Sequence, residues 1–137
     1  MNIQSAVTEG TNILIDRSIL SAKLDSEILM SKVLGKNREY IILNNDKVLN
    51  KKDLEYFKRL VEERAKRKPI AYLLNKKFFW NSEFYVNKDT LIPRPDTELI
   101  IEQVLKITKN RNKLCLLDIG VGSGCILLSI LRERKNF

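Results

Sequence analysis

Leu114-Cys115-Leu116-Leu117-Asp118-Ile119-Gly120-Val121-Gly122-Ser123-Gly124 decides how this 137-residue chain is read. Four apolar residues run up to Asp118, and glycines then fall at Gly120, Gly122 and Gly124. A short continuous apolar run suits a parallel strand covered on both faces. Glycine lets the backbone turn sharply and lets a ligand come close, because no Cβ stands in the way. A helix starting just after such a turn points free N–H groups at that ligand. The stretch therefore predicts a buried strand, a glycine turn and a helix start, the first βα unit of a nucleotide-type fold.

The spacing bears on the ligand. Dinucleotide sites use G-x-G-x-x-G or a final alanine. Here Cys125 holds that last position and the third glycine comes one residue early. The order D-I-G-x-G-x-G resembles the first motif of class I S-adenosylmethionine-dependent methyltransferases. In those enzymes the glycines flank the methionine portion of the cofactor. On the residues alone, a methyltransferase, a dinucleotide enzyme and a glycine turn without a ligand all stay open.

Outward from this stretch, the whole chain sets bounds. Its length holds about one domain, or one small domain plus a piece of another. Hydrophobic residues make up 44%, as in ordinary globular proteins. No apolar run approaches the ~20 residues of a membrane helix, and polar residues from Asn2 to Asn12 interrupt any signal-peptide core. A cytoplasmic protein is the expectation. Cys115 and Cys125 flank the glycine turn and read as small buried hydrophobes in a reducing compartment. There is no histidine, which excludes His-based hydrolase triads and removes the commonest metal ligand; two cysteines alone do not make a zinc site. The net charge of +8, from 25 Lys and Arg against 17 Asp and Glu, suits an acidic partner or nucleic acid. Abundant Lys, Asn and Ile throughout explain the same charge as compositional bias.

Upstream, residues 2–68 read as helical. The first segment is ambiguous, because Gly10 and Thr11 precede Ile13, Leu14 and Ile15. From Ala22 to Leu34, Leu24, Ile28, Leu29 and Val33 recur at helical spacing, and Gly35 offers a stop. A short helix over Arg38 to Leu43 precedes an Asn44-Asn45-Asp46 turn. Asn50 is a cap for a fourth helix, whose face is Leu54, Phe57, Leu60, Val61 and Ala65. Between Lys51 and Lys68 that helix carries eight basic and four acidic residues. Four such helices predict a small bundle. Lys77 to Val86 is aromatic-rich, and the break at Asn81-Ser82 predicts a β-hairpin, its aromatics packing a linker.

Leu91-Ile92-Pro93-Arg94-Pro95-Asp96-Thr97-Glu98 is the second informative stretch. Two prolines fix an extended segment. Asp96 or Thr97 then caps a helix presenting Leu99, Ile100, Val104 and Ile107. On physical grounds alone this is a rigid loop entering a helix.

With both stretches in hand, the chain resembles the release-factor glutamine N5-methyltransferase family, PrmC or HemK. The likeness runs through Leu24-Asp25-Ser26-Glu27-Ile28-Leu29, Val33-Leu34-Gly35, Pro69-Ile70-Ala71-Tyr72, Phe79-Trp80 and Phe84-Tyr85-Val86. It is sharpest at Leu91 to Glu98, and Asp118 to Gly124 matches the family's cofactor loop. Asn75 departs from the pattern, where many members have glycine. The resemblance implies a mixed fold: a small all-α bundle over 1–75, a β-hairpin linker over 76–92, and over 93–137 the first βα unit of an incomplete Rossmann-like class I methyltransferase domain.

It also implies a function. The reaction is methyl transfer from S-adenosylmethionine to the side-chain amide nitrogen of the glutamine in the Gly-Gly-Gln motif of class 1 peptide-chain release factors. The cofactor loop maps onto Asp118, Ile119, Gly120, Val121, Gly122 and Gly124, and Pro93, Arg94, Pro95, Asp96, Thr97 and Glu98 map onto the segment beside it. The family orients the poorly nucleophilic amide with an Asn-Pro-Pro-Tyr motif. That motif and the acidic residue expected to bind the cofactor ribose are not within the sequence. The expectation is thus the N-terminal portion of such an enzyme, with no catalytic residue, no metal, weak or no cofactor binding and no activity alone. Its partner is a release factor, with no membrane and no direct nucleic acid. An incomplete catalytic domain also invites a dimer or a domain swap. Two other readings stand beside this one: a release-factor-docking module without catalysis, and a class I methyltransferase acting on nucleic acid, against which Leu91 to Glu98 argues.

Overall fold

The computed structural model describes residues 1–111 and 113–134. The expected catalytic segment therefore has residues 112 and 135–137 outside the described residues. The chain divides into two compact units, Met1–Leu74 and Asn75–Phe137.

The first unit is helical: α1 Ile3–Asp16, α2 Ala22–Leu34, α3 Arg38–Leu43, α4 Lys51–Ala65 and α5 Ile70–Leu74. Asparagine starts three of the five. The side chains of Asn2, Asn37 and Asn50 accept the N–H groups of Ser5, Tyr40 and Asp53, satisfying donors that a helix start leaves open. Gly35 ends α2 in the left-handed region at φ +61°. Ile3, Leu14, Leu29, Met30, Ile41, Phe57, Leu60, Val61 and Leu73 form the core. The α3–α4 connection returns to the N-terminus, where Ile3 N–H donates to Lys47 O at 3.0 Å and Leu49 N–H to Met1 O at 3.0 Å.

Gly10, ambiguous in sequence, lies inside a continuous α1. A Cβ there would stand 2.8 Å from Ser26 Oγ and 2.9 Å from Phe57 Cζ, so its absence lets α1 meet α2 and α4 closely. The span of α2 is as expected, but its face differs. Leu24 is 43% exposed, whereas Asp25, Ser26 and Glu27 are buried. These polar groups are satisfied. Asp25 Oδ2 accepts from Arg64 Nε at 2.7 Å and from Ser21 Oγ at 3.0 Å, Ser26 Oγ donates to Val7 O, and Glu27 Oε2 accepts from Arg38 Nε at 2.6 Å. Hydrogen-bonded pairing is what lets charged groups sit inside.

The second unit opens with an antiparallel hairpin, β1 Lys76–Phe79 and β2 Ser82–Tyr85, paired Lys76↔Tyr85 through Phe79↔Ser82. Pro95–Thr97 forms a 3₁₀ turn, followed by α6 Glu98–Thr108 and α7 Cys125–Glu133. Phe79 and Phe84 meet edge to face with centroids 6.2 Å apart and pack with Ile101, Cys125 and Ile130.

Three expectations are corrected here. The stretch 114–119 forms no strand, and the described residues contain no Rossmann-like sheet: the architecture is mostly helical with one two-stranded hairpin. Leu117 is 81% and Ile119 88% exposed. A parallel strand exists only by pairing with a neighbour, and β1 and β2 pair with each other. Cys115 is exposed, not buried, for the same reason; Cys125 is buried as expected. On α6, Leu99, Ile100 and Ile107 are exposed, and the inward face is Ile101 with Val104 and Leu105.

Candidate functional site

The second unit holds the glycine turn. Gly120, Gly122 and Gly124 take φ of +83°, +55° and +76°, left-handed values that L side chains rarely adopt. Nothing lies within 4 Å of a Cβ built on Gly120, and only the Gly120 carbonyl is near one on Gly122. The turn is closed by Gly124 N–H donating to Val121 O at 2.8 Å, and α7 begins at once with Cys125. Val121 and Ile119 are exposed. Two polar atoms in this turn, Asp118 Oδ2 and Ser123 Oγ, are buried without a hydrogen-bond partner. An unpaired buried polar atom is costly and calls for an explanation; an arriving donor would supply one. Open space above the left-handed Gly120 and Gly122, a helix N-terminus and two orphaned oxygens fit the amino-acid end of S-adenosylmethionine, which carries both an ammonium donor and a carboxylate acceptor.

Beside this turn lies a groove of about 680 Å³, with β2 on one side and Gly122, Ser123, Leu128 and Leu131 on the other. Arg132 of α7 donates to Ser82 Oγ of β2 across it.

The stretch Pro93–Glu98 is a rigid entry to α6. Pro93 is buried, Arg94 is extended, Thr97 N–H donates to Arg94 O at 3.1 Å, and neither Asp96 nor Thr97 caps the helix with its side chain. Among the described residues no hydrogen bond or ion pair joins this stretch to the glycine turn. Glu98 instead turns to the hairpin, its Oε1 accepting the Trp80 N–H at 2.7 Å. Sequence reading missed this contact, the buried pair Asp25–Arg64 and the pairing of buried Glu27 with half-exposed Arg38. The only advance signal was charged residues standing inside an otherwise apolar helical period. Among the described residues no cluster of side chains suits a metal ion, and no helix is long and apolar enough to cross a membrane.

The first unit carries the basic stretch 51–68, α4 and the residues just after it. Most of its charge is engaged within the fold. Arg64 pairs with Asp25, Lys58 with Glu9 at 2.9 Å, and Lys66 and Lys68 with Glu63 at 2.9 and 3.4 Å. Arg67 donates to the Arg17 carbonyl. Lys66 and then Lys68 hold the Glu63 carboxyl below its ordinary range, and Glu63 in turn raises Lys66. Lys52 and Arg59 face an open groove of about 470 Å³, with the Arg59 guanidinium over the Tyr56 ring at 5.1 Å.

The profile of the PrmC N-terminal domain family matches residues 5–74, just over half of the chain. The chain belongs to this family. The matched span of the PrmC N-terminal domain ends at Leu74, where the helical unit ends. The likeness continues past it. A release factor glutamine methyltransferase of Leptospira interrogans serogroup Icterohaemorrhagiae serovar Lai is 37% identical over 137 residues, covering 99% of this chain and 48% of that protein. A bifunctional methyltransferase of Rickettsia bellii is 35% identical, over 98% of this chain and 29% of its own length. A release factor glutamine methyltransferase of Buchnera aphidicola subsp. Acyrthosiphon pisum is 39% identical, over 84% and 41%. The chain thus spans about half the length, or less, of the curated relatives it matches.

Proposed function

We propose that this chain is the N-terminal portion of a cytoplasmic protein-(glutamine-N5) methyltransferase acting on the Gly-Gly-Gln glutamine of class 1 release factors. On this reading the PrmC N-terminal domain docks the release factor, and Asp118, Ile119, Gly120, Val121, Gly122 and Gly124 hold the methionine end of S-adenosylmethionine. Pro93 to Glu98 form the neighbouring rigid segment. The observation that carries the reading is the turn with three left-handed glycines and the orphaned Asp118 Oδ2 and Ser123 Oγ.

The bound cofactor supplies a methyl group on a positively charged sulfur. This chain's own share is binding and orientation: the Asp118 carboxylate takes an ammonium, Ser123 Oγ a polar atom, and the α7 N-terminus a carboxylate. No residue here is assigned to move a proton, and the amide is held by the Asn-Pro-Pro-Tyr motif implied by the resemblance.

A chimera tests this. The chain replaces the matching half of the Leptospira relative, and methyl transfer to a release factor is followed with labelled cofactor. Transfer is expected to persist in the chimera and to be lost when the Gly-Gly-Gln glutamine is changed to alanine. A folded chimera that binds cofactor but methylates no release factor overturns the reading. The chain by itself is expected to show no transfer and, lacking the ribose and adenine contacts, to bind the cofactor weakly; each tenfold in affinity is only ~1.4 kcal/mol. Micromolar affinity in a calorimetric titration would contradict that part.

One observation favours a second reading: the family match lies on the helical unit. A docking module without catalysis would bind release factor through Met1–Leu74 and leave the chimera inactive.

A further inference from the structure

Trp80 is the one tryptophan of the chain and sits at the first position of the two-residue hairpin turn with φ +52°. A left-handed bulky residue is an outlier that its surroundings must hold in place. Two carboxylates converge on it from two different helices. Glu98 Oε1, at the start of α6, accepts the Trp80 backbone N–H at 2.7 Å, and Glu133 Oε1, at the end of α7, accepts the indole N–H at 2.6 Å. Asn81 Nδ2 reaches the same Glu133 oxygen at 3.5 Å. The turn would otherwise present an N–H with no ladder partner, since β1 ends at Phe79 and β2 begins at Ser82.

The geometry points to Glu98 as a positioning residue rather than a ligand residue: its carboxylate anchors the strained Trp80 turn to α6 and so fixes β2 as one wall of the groove beside the glycine turn. Three observations meet in this assignment. The hydrogen bond is charge-assisted and short, hence of the stronger kind. The hairpin it anchors contributes Ser82 through Tyr85 to the groove whose other wall is the glycine turn and α7. The Glu133 contact and the Arg132 contact to Ser82 tie the same hairpin to α7, so both helices flanking the turn grip it. Only the identity of the groove's occupant rests on the function proposed above; the anchoring does not.

Because Trp80 is unique, its fluorescence reports the anchor directly, and amide hydrogen exchange reports the bond itself. In the 137-residue chain the Trp80 amide is expected to be protected. Glu98→Ala should lower that protection about tenfold or more, the scale of a hydrogen bond to a charged acceptor, and should move the emission to longer wavelength. Glu98→Gln keeps an oxygen at the same reach without the charge and should restore both readouts in part, to between Glu98→Ala and wild type. An unprotected Trp80 amide in the wild-type chain overturns the assignment whatever the variants do. An unchanged Trp80 amide and emission in a folded Glu98→Ala, or a Glu98→Gln as disturbed as Glu98→Ala, overturns it too. Failure of the methyltransferase reading would show instead in the chimera and leave these spectra as expected.

Discussion

Gly10 is held on two sides by side chains that have nowhere to go. Phe57 and Ser26 are fully buried, and a methyl group on Gly10 would meet them at 2.9 and 2.8 Å. Gly10→Ala gains helix propensity but overpacks the junction, and such insertions cost about 1–3 kcal/mol. The variant should therefore unfold at lower urea than wild type; an increase in the midpoint would mean that Phe57 can yield. Nothing in the sequence identified Gly10 as a contact point, since its role comes from helices that lie sixteen and forty-seven positions away in residue number, at Ser26 and Phe57. The glycines at 120, 122 and 124 were legible for the opposite reason: their conformations serve a local turn. Glu98 lay between these cases. Its motif was visible, but its partner is a backbone N–H at position 80, which no side-chain pattern displays.

The helix ends carry most of what was readable at the next scale. Asn50 was legible as a cap because a cap bonds within three residues of itself, and its Oδ1 accepts the Asp53 N–H at 2.8 Å. Asn50→Ala should cost about 1 kcal/mol, seen as a lower melting temperature with α4 the first helix to lose protection. The face of α2 was less legible. Periodicity assigns apolar residues inward, yet Asp25 goes in because Arg64 of α4 meets it at 2.7 Å. Removing one member of a buried pair strands the other, at about 3–5 kcal/mol. Arg64→Ala should therefore destabilise far more than Lys52→Ala on the same helix; equal effects in denaturant would place the Asp25–Arg64 pair in solvent. At the α4 C-terminus Glu63 gives a pH signature. Its lowered folded pKa means that its contribution is present above the unfolded value near 4.5 and fades as pH falls through the folded value. Glu63→Gln should thus lower the unfolding midpoint at pH 6 and converge with wild type in strong acid. The strand expected at 114–119 failed at this scale too: an apolar run is necessary for a buried strand, but pairing completes it, and pairing is not a property of one segment.

Across the whole molecule, charge and apolar surface decide how the chain meets others. The sequence places a basic helix on α4, but the folded protein engages Arg64, Lys66 and Arg67 internally. Lys52 and Arg59 face the open groove on α4, which Asp53 and Glu55 also line. Exposed charges act mainly on association rate and are screened over ~8 Å at physiological salt. On the function proposed above, replacing Lys52 and Arg59 by Ser should slow release-factor association at low salt and leave the high-salt rate unchanged; equal rates at low salt would take these two residues out of the encounter. In the second unit, Leu91, Leu99, Ile107, Leu117 and Ile119 are exposed. Apolar surface on this scale favours association, so the chain should sediment as a concentration-dependent dimer, and a monomer throughout the micromolar range would count against it. The partition at Leu74 has a further consequence, for synthesis. Every helix of the first unit precedes the hairpin, so a ribosome finishes the whole bundle before it begins the glycine turn. Domains fold as units, N-terminal first, as they emerge. The helical bundle is thus complete in sequence before the glycine turn is made, and its surface can form once Leu74 has emerged, while the segments that follow are still leaving the ribosome.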